Sequence, residues 1–413
     1  MLDEKWLHAM EIYDEYEKRF AKTVAERQFY VPTAEEDFQK IIKKTKRMLA
    51  FDEKLIPEIS NIQEVCRNGF DSYEVVQLKF TTWENFHSSL TLYMPHIEDG
   101  QRVPLGFVFC GHGGDGRLTV GYQLMAERLA RMGMAVVLPD NIGQGDRSRL
   151  GHRDAIAPFY CGLTLQGLIL MESIALIRHF VKQSWVDTEK VSACGNSGGG
   201  TLCLFLAALA PEIKVLCPTG YSSDFGYLLA KERRHCACNL IPGCAYGPEM
   251  WEILSCFAPK PLMIEQGAND HLIPYDLFMR TARKVSHVYR QMGAEGSFSA
   301  QWTKEGHAWT PADRTVIAQF IAEQLGLEAV ETDNEEILKN IKDWHIAQPA
   351  DGLTTDQLTQ RLTGKAMPEG TLISDIFKPQ FHGRPIEKDE LIPDIGRGDV
   401  MEILAQMECA LQK

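Results

Sequence analysis

From about residue 70 onward, short apolar runs alternate with longer amphipathic ones, and this alternation limits the available folds more than anything else in the sequence. The runs Leu105–Cys110 (LGFVFC), Ala135–Leu138 (AVVL), Lys190–Cys194, Ile213–Cys217, Pro261–Glu265 and Phe298–Thr303 read as strands, preceded by β-rich Tyr73–Thr81 and Ser88–Tyr93. Between them, Tyr122–Met132, Leu163–Val181, Gly199–Leu209, Tyr275–Met292 and Thr310–Leu325 read as helices. Strands that are apolar throughout belong to sheets covered on both faces, and strands alternating with helices favour parallel pairing. The expected fold class is therefore α/β: a mostly parallel twisted sheet with helices on both faces.

Two outer segments depart from this pattern. Residues 1–60 read as a helical extension: Trp6, Met10, Tyr13 and Tyr16 recur at helical spacing, Ile41, Met48 and Leu49 suggest a second helix, and Pro32 separates the two. Residues 61–330 carry the alternating pattern and form the expected catalytic domain. Residues 331–413 are rich in charge, Pro and Gly, with a short helix at Thr355–Leu362 and an amphipathic one at Asp399–Leu411. This C-terminal appendage is expected to pack on the core or in an oligomer interface, with a largely disordered segment as the competing reading, so a homo-oligomer is compatible with the sequence.

The 413-residue chain carries a net charge of −13, which argues against nucleic-acid and anionic-membrane partners, since both require a basic face. The longest apolar stretch, Leu163–Val181, is interrupted by Gln166, Glu172 and Arg178 and reads as a buried helix, not a membrane span. The N-terminus has no apolar run of the signal-peptide type, and eleven irregularly spaced cysteines read as reduced thiols. The expected location is the cytoplasm.

The sharpest chemical signal is Gly195-Asn196-Ser197-Gly198-Gly199-Gly200, placed between the strand KVSAC and the helix-forming run TLCLFLAALA. A G-x-S-x-G segment in a strand–turn–helix setting is a nucleophile elbow, which projects the serine hydroxyl from the sheet edge. The helix N-terminus behind Ser197 favours negative charge on an acyl oxygen. Gly111-His112-Gly113-Gly114 follows the strand LGFVFC, where a second oxyanion donor is needed. The donors are therefore the Gly198 N–H and that of either His112 or Gly113. Among twelve histidines, His307 occupies a loop between the strand FSAQWT and a terminal helix, the position of a general base. Asp270, after the strand PLMIEQG, is the acid that fixes the imidazole, with Asp224 as the alternative. His271 reads as a neighbour of the acid.

Asn196, His235 and Trp309 are candidate substrate contacts. Asp140 and Arg147, in the glycine-rich loop after AVVL, read as buttresses of the active-site mouth. The segment His235-Cys236-Ala237-Cys238 lacks a matching downstream ligand pair, which argues against zinc, so it reads as a pocket-lining loop.

Taken together, the strings GHGGDG, VVLPDNIGQGDRSRLGH, GLTLQG, VDTEKVSACGNSGGG, HCACNLIPG, FAPKPLMIEQGANDHLIPY and EGHAW resemble the acetyl xylan esterase and dienelactone-hydrolase-like branch of the α/β hydrolases, over roughly residues 70–325. One departure is Cys110, where a histidine commonly precedes the oxyanion-loop glycine. The resemblance implies an α/β-hydrolase fold and a serine carboxylesterase acting on O-acetylated sugars or other small esters, with Ser197, Asp270 and His307 as its triad. Acyl transfer through a serine requires neither a metal nor an organic cofactor. Rival readings are a carbon–carbon bond hydrolase or peptidase with the same triad, and a non-catalytic binding protein on a hydrolase scaffold.

Overall fold

A computed structural model describes residues 31–152, 155–230, 237–241, 244, 247–371, 380–381 and 384–385. The helix expected around Trp6–Tyr16 and the one at Asp399–Leu411 lie outside the described residues, as does His235. In chain order the main elements are α1 (Glu35–Met48), β1 (Ser60–Gly69), β2 (Tyr73–Thr81), β3 (His87–Pro95), β4 (Val103–Phe109), α2 (Val120–Arg131), β5 (Ala135–Pro139), α3 (Ala157–Cys161), α4 (Leu165–Phe180), β6 (Val186–Asn196), α5 (Gly198–Leu209), β7 (Val215–Thr219), α6 (Phe225–Ala230), α7 (Met250–Ser255), β8 (Leu262–Gly267), α8 (Tyr275–Gln291), β9 (Phe298–Thr303), α9 (Pro311–Leu325) and α10 (Thr355–Thr363). A pairing of residues 380–381 with 384–385 forms a separate two-stranded ladder.

The nine strands form one sheet in the order β1-β2-β3-β5-β4-β6-β7-β8-β9. From β5 through β9 every pairing is parallel, while β1–β2, β2–β3 and β3–β5 are antiparallel. Successive side chains of a strand point to opposite faces, and the core divides accordingly. Leu105, Phe107 and Phe109 join the cluster beneath α4, α5, α7 and α8, whereas Val108 and Cys110 join the cluster beneath α2 and α9. The same split separates Leu216 from Val215 and Cys217, and Ile264 from Met263.

Helix α8 shows why these segments are helical. Leu277, Phe278, Thr281, Ala282, Val285, Val288 and Tyr289 recur every three or four residues and are the buried ones. Helix α5 is apolar nearly all round and almost wholly buried, which fits its place behind the centre of the sheet. Helix α1 packs against α5 and α7 through Phe38, Ile41 and Met48. Among the described residues, no helix is long and apolar enough to cross a membrane.

The described part of the C-terminal region lies against the sheet domain. The Trp344 side chain is fully buried, its indole N–H donates to Asn68 Oδ1 (2.7 Å), and its carbonyl accepts from the Arg117 guanidinium (2.7 Å). Further on, α10 packs on α3, with Thr355 Oγ1 donating to the Gly151 carbonyl at 2.9 Å.

Candidate active site

Parallel strands present their C-terminal ends on one side, so the loops after β4, β6, β8 and β9 cluster there. At the end of β6, Ser197 has φ 56° and ψ −115°, a left-handed conformation held by two backbone bonds. Its N–H donates to the Thr219 carbonyl (3.0 Å), and its carbonyl accepts from Thr201 N–H at 2.8 Å. Such a strained turn is tolerated only where the surroundings over-determine it. The flanking glycines are sterically required: a Cβ on Gly199 would lie 1.9 Å from the Phe109 carbonyl oxygen, and one on Gly195 would lie 2.5 Å from that of Gly199. Ser197 is half-buried and stands at the N-terminus of α5.

Asp270 and His307 come together from the loops after β8 and β9. His307 Nδ1 lies 2.6 Å from Asp270 Oδ2, and the carboxylate also accepts from Gln266 Nε2 (2.6 Å) and from the N–H groups of Leu272 (2.7 Å) and Ile273 (3.2 Å). Burial alone would raise the carboxyl's pKa and is the largest single influence. The His307, Leu272 and Gln266 donors together outweigh it and hold Asp270 below its ordinary value. A carboxylate kept ionised beside Nδ1 orients the ring and leaves Nε2 to face elsewhere. That nitrogen is buried and makes no hydrogen bond, so the hydroxyl of Ser197 and the imidazole are not hydrogen-bonded in this structure. Asp224 is engaged elsewhere: it accepts from Tyr227 N–H at 2.7 Å and faces Arg280. His271 stacks edge-on to His307, with ring centroids 6.2 Å apart.

The base loop is fixed at its far end. Thr310 and Asp313 form a capping box at the start of α9, Thr303 Oγ1 donates to Asp313 Oδ1 (2.6 Å), and the Arg314 guanidinium donates to the Trp309 carbonyl. Trp309 is buried, its indole N–H donates to Thr219 Oγ1 at 2.8 Å, and its ring meets Tyr122 edge-on. It thus ties the base loop to the strand end that also holds Ser197. Asn196 likewise is buried, with Oδ1 accepting from Thr219 Oγ1 at 3.3 Å beside the elbow.

The loop after β4 closes over the serine. The Gly111 N–H is taken by the Tyr122 hydroxyl (2.8 Å), which leaves the choice of second donor between His112 and Gly113. The ring of His112 lies over Gly198: a Cβ added there would sit 2.8 Å from His112 Cε1. Behind this loop, Asp140 is buried and accepts from Arg117 N–H (2.8 Å), Arg117 Nη1 (2.9 Å) and Ser89 Oγ (2.9 Å). Arg147 makes a bidentate pair with Glu172 at 2.7 and 2.8 Å, so both residues brace the mouth from within.

The structure also gathers residues that the sequence did not bring together. His112, His152 and Cys238 place their ligand atoms within 4.8 Å of one another. His152 lies inside the quoted string VVLPDNIGQGDRSRLGH, but nothing in its spacing points to His112 or Cys238.

Residues 30–234 match the acetyl xylan esterase (AXE1) family. A Bacillus subtilis protein named as a hydrolase, YtaP, is 24% identical over 203 residues, covering 48% of this chain and 68% of that protein. Among solved structures, Methylesterase BT1017 superposes with a TM-score of 0.63 at 19% identity, over 84% of this chain and 78% of its own. Acetyl xylan esterase 1 of a Thermoanaerobacterium species superposes with a TM-score of 0.50 at 18% identity, over 72% of this chain and 97% of its own. At these identities the structural likeness establishes the fold. The chain thus has the α/β-hydrolase fold, and over residues 30–234 it is similar to the acetyl xylan esterase family.

Proposed function

We propose that the chain hydrolyses carboxylic esters by two-step acyl transfer, with Ser197 as nucleophile, His307 as general base and acid, and Asp270 as the group that orients and stabilises the imidazolium. The observation that carries this reading is the 2.6 Å Asp270–His307 pair at the sheet end where Ser197 stands in a strained elbow. Ser197 Oγ attacks the ester carbonyl while His307 Nε2 takes its proton, and the alcohol leaves with that proton. Water then releases the acid by the reverse sequence. The developing oxyanion is received by the Gly198 N–H and by the His112 or Gly113 N–H. Contacts between nucleophile and base are commonly long in free enzymes and tighten when substrate binds, so a bound ester is expected to complete the Ser197–His307 hydrogen bond.

The proposed substrates are acetyl esters of sugars or similarly small alcohols, supported by the family match over residues 30–234. Ser197→Ala should lower turnover of 4-nitrophenyl acetate by about 10⁴-fold or more and abolish labelling by a fluorophosphonate probe, with an unchanged far-ultraviolet circular dichroism spectrum. Undiminished hydrolysis by this variant would sink the assignment. Acetylated xylosides should be hydrolysed faster than methyl uronates. The opposite order would keep the triad and overturn the acetyl reading.

A further inference from the structure

Three loops deliver one soft ligand atom each to a single point beside the oxyanion loop: His112 after β4, His152 after β5 and Cys238 after β7. His112 Nε2 lies 3.0 Å from His152 Nε2 and 3.2 Å from Cys238 Sγ. His152 Nδ1 is 2.7 Å from the Ile142 carbonyl oxygen, which can only accept, so that nitrogen carries the proton. Its Nε2 therefore presents a lone pair to the cluster, within reach of the Gln144 amide N–H at 3.3 Å. His152 and Cys238 are buried, and His112 is the exposed member.

We propose that His112, His152 and Cys238 bind one zinc ion, with the fourth coordination position open toward solvent or an added small ligand. Two imidazole nitrogens and one thiolate are a recognised zinc donor set, and three protein ligands with an open fourth position make a site of the non-structural type. For bond lengths of about 2.0–2.1 Å to nitrogen and 2.3 Å to sulfur, a tetrahedron separates such donors by about 3.3–3.7 Å, so small side-chain shifts admit the ion. The carbonyl on His152 Nδ1 is the outer-shell partner that fixes tautomer and ring orientation in metal-binding histidines. The Cys238 ligand lacks a downstream partner pair in the sequence, and the structure supplies one from upstream. Zinc binding there does not depend on the reaction at Ser197, because no atom of the proposed triad is a ligand.

The test is metal content and spectroscopy of the full chain. After incubation with zinc and removal of excess by gel filtration, the wild-type chain should retain one equivalent and gain at least about 2 °C in Tm. The Cys238→Ser and His152→Ala variants should each retain less than a tenth of that and lose the gain, with circular dichroism confirming their fold. Ser197→Ala should bind like wild type. With cobalt in place of zinc, the near-ultraviolet sulfur-to-cobalt absorption should appear in wild type and in Ser197→Ala and vanish in Cys238→Ser. Failure of the wild-type chain to retain zinc overturns the proposal, as does equal retention by the folded double variant of Cys238 and His152. Either result leaves the ester-hydrolase reading standing, which the Ser197→Ala assay decides separately.

Discussion

At the scale of single residues, the candidate chemistry depends on how one carboxylate is kept charged. Asp270 sits in surroundings that resist charge, and the donors His307, Leu272 and Gln266 overcome that resistance. Replacing it with Asn keeps the volume and the Leu272 contact but lets the amide N–H face His307 Nδ1, which selects the wrong imidazole tautomer. Asp270→Asn should therefore lower kcat for 4-nitrophenyl acetate by about 10³–10⁴-fold with little change in KM, as read from steady-state kinetics. A loss below tenfold would mean that another group orients His307. These residues were legible because each lies in a sequence context that the chemistry requires: Ser197 between a strand and a helix, and Asp270 and His307 just past strand ends. His152 and Cys238 were not, because their meeting with His112 is made by three loops far apart in the chain. The burial of Trp309 and Asn196 was not legible either, because a position beside the catalytic residues says nothing about which way a side chain packs.

At the scale of elements, the apolar pattern located most of the sheet: the bounds of β2 and β9 are those read from the sequence, and β4 to β8 differ by a few residues. Strand β1 escaped because it has no apolar face. It is exposed on both sides, lies at the edge, and pairs with β2 through register shifts near Gln63 and Cys66. Glu172 gave the opposite signal. As a charge inside the apolar run Leu163–Val181 it marked a soluble helix, and the structure shows how α4 accommodates it. Its carboxylate accepts from Arg147 and from Thr82 Oγ1 (3.0 Å), and the Arg147 guanidinium stacks 5.1 Å from the Phe86 ring. Removing one member leaves the other charged and buried, so Arg147→Met should cost about 3–5 kcal/mol in urea unfolding. The double change Arg147→Met with Glu172→Leu should restore most of that, since an apolar pair of similar volume removes the stranded charge. If the double variant were as unstable as the single one, the cost would lie in the loop that Arg147 anchors through the Asp140 carbonyl.

At the scale of the whole molecule, the carboxylate of Asp333 links the C-terminal region to the loop that carries His307. Asp333 pairs with Arg128 of α2 and Arg314 of α9, both guanidinium groups being almost fully buried. Arg314 also donates to the Trp309 carbonyl, two residues beyond His307. Burial raises the Asp333 pKa most, but the two guanidinium groups outweigh it and leave the carboxyl below its ordinary value. A depressed carboxyl contributes stability that is fully present above its unfolded pKa of about 3.9 and is lost as pH falls through the lower folded value. Asp270 adds a contribution of the same sign. The stability these two carboxylates contribute should thus hold steady down to about pH 4 and be lost below it. Asp333→Asn should start at a lower Tm at neutral pH, because it leaves two buried cations uncompensated, and should fall less steeply in acid, because the proton uptake at this position is gone. By loosening the hold of Arg314 on Trp309, the variant should also lower kcat several-fold while Ser197 still reacts with a fluorophosphonate. Thermal melts from about pH 3 to 7 and kinetics at neutral pH check both expectations. A parallel acid slope in variant and wild type would place the pH sensitivity elsewhere, and an unchanged kcat would show that the base loop holds its place without the C-terminal region.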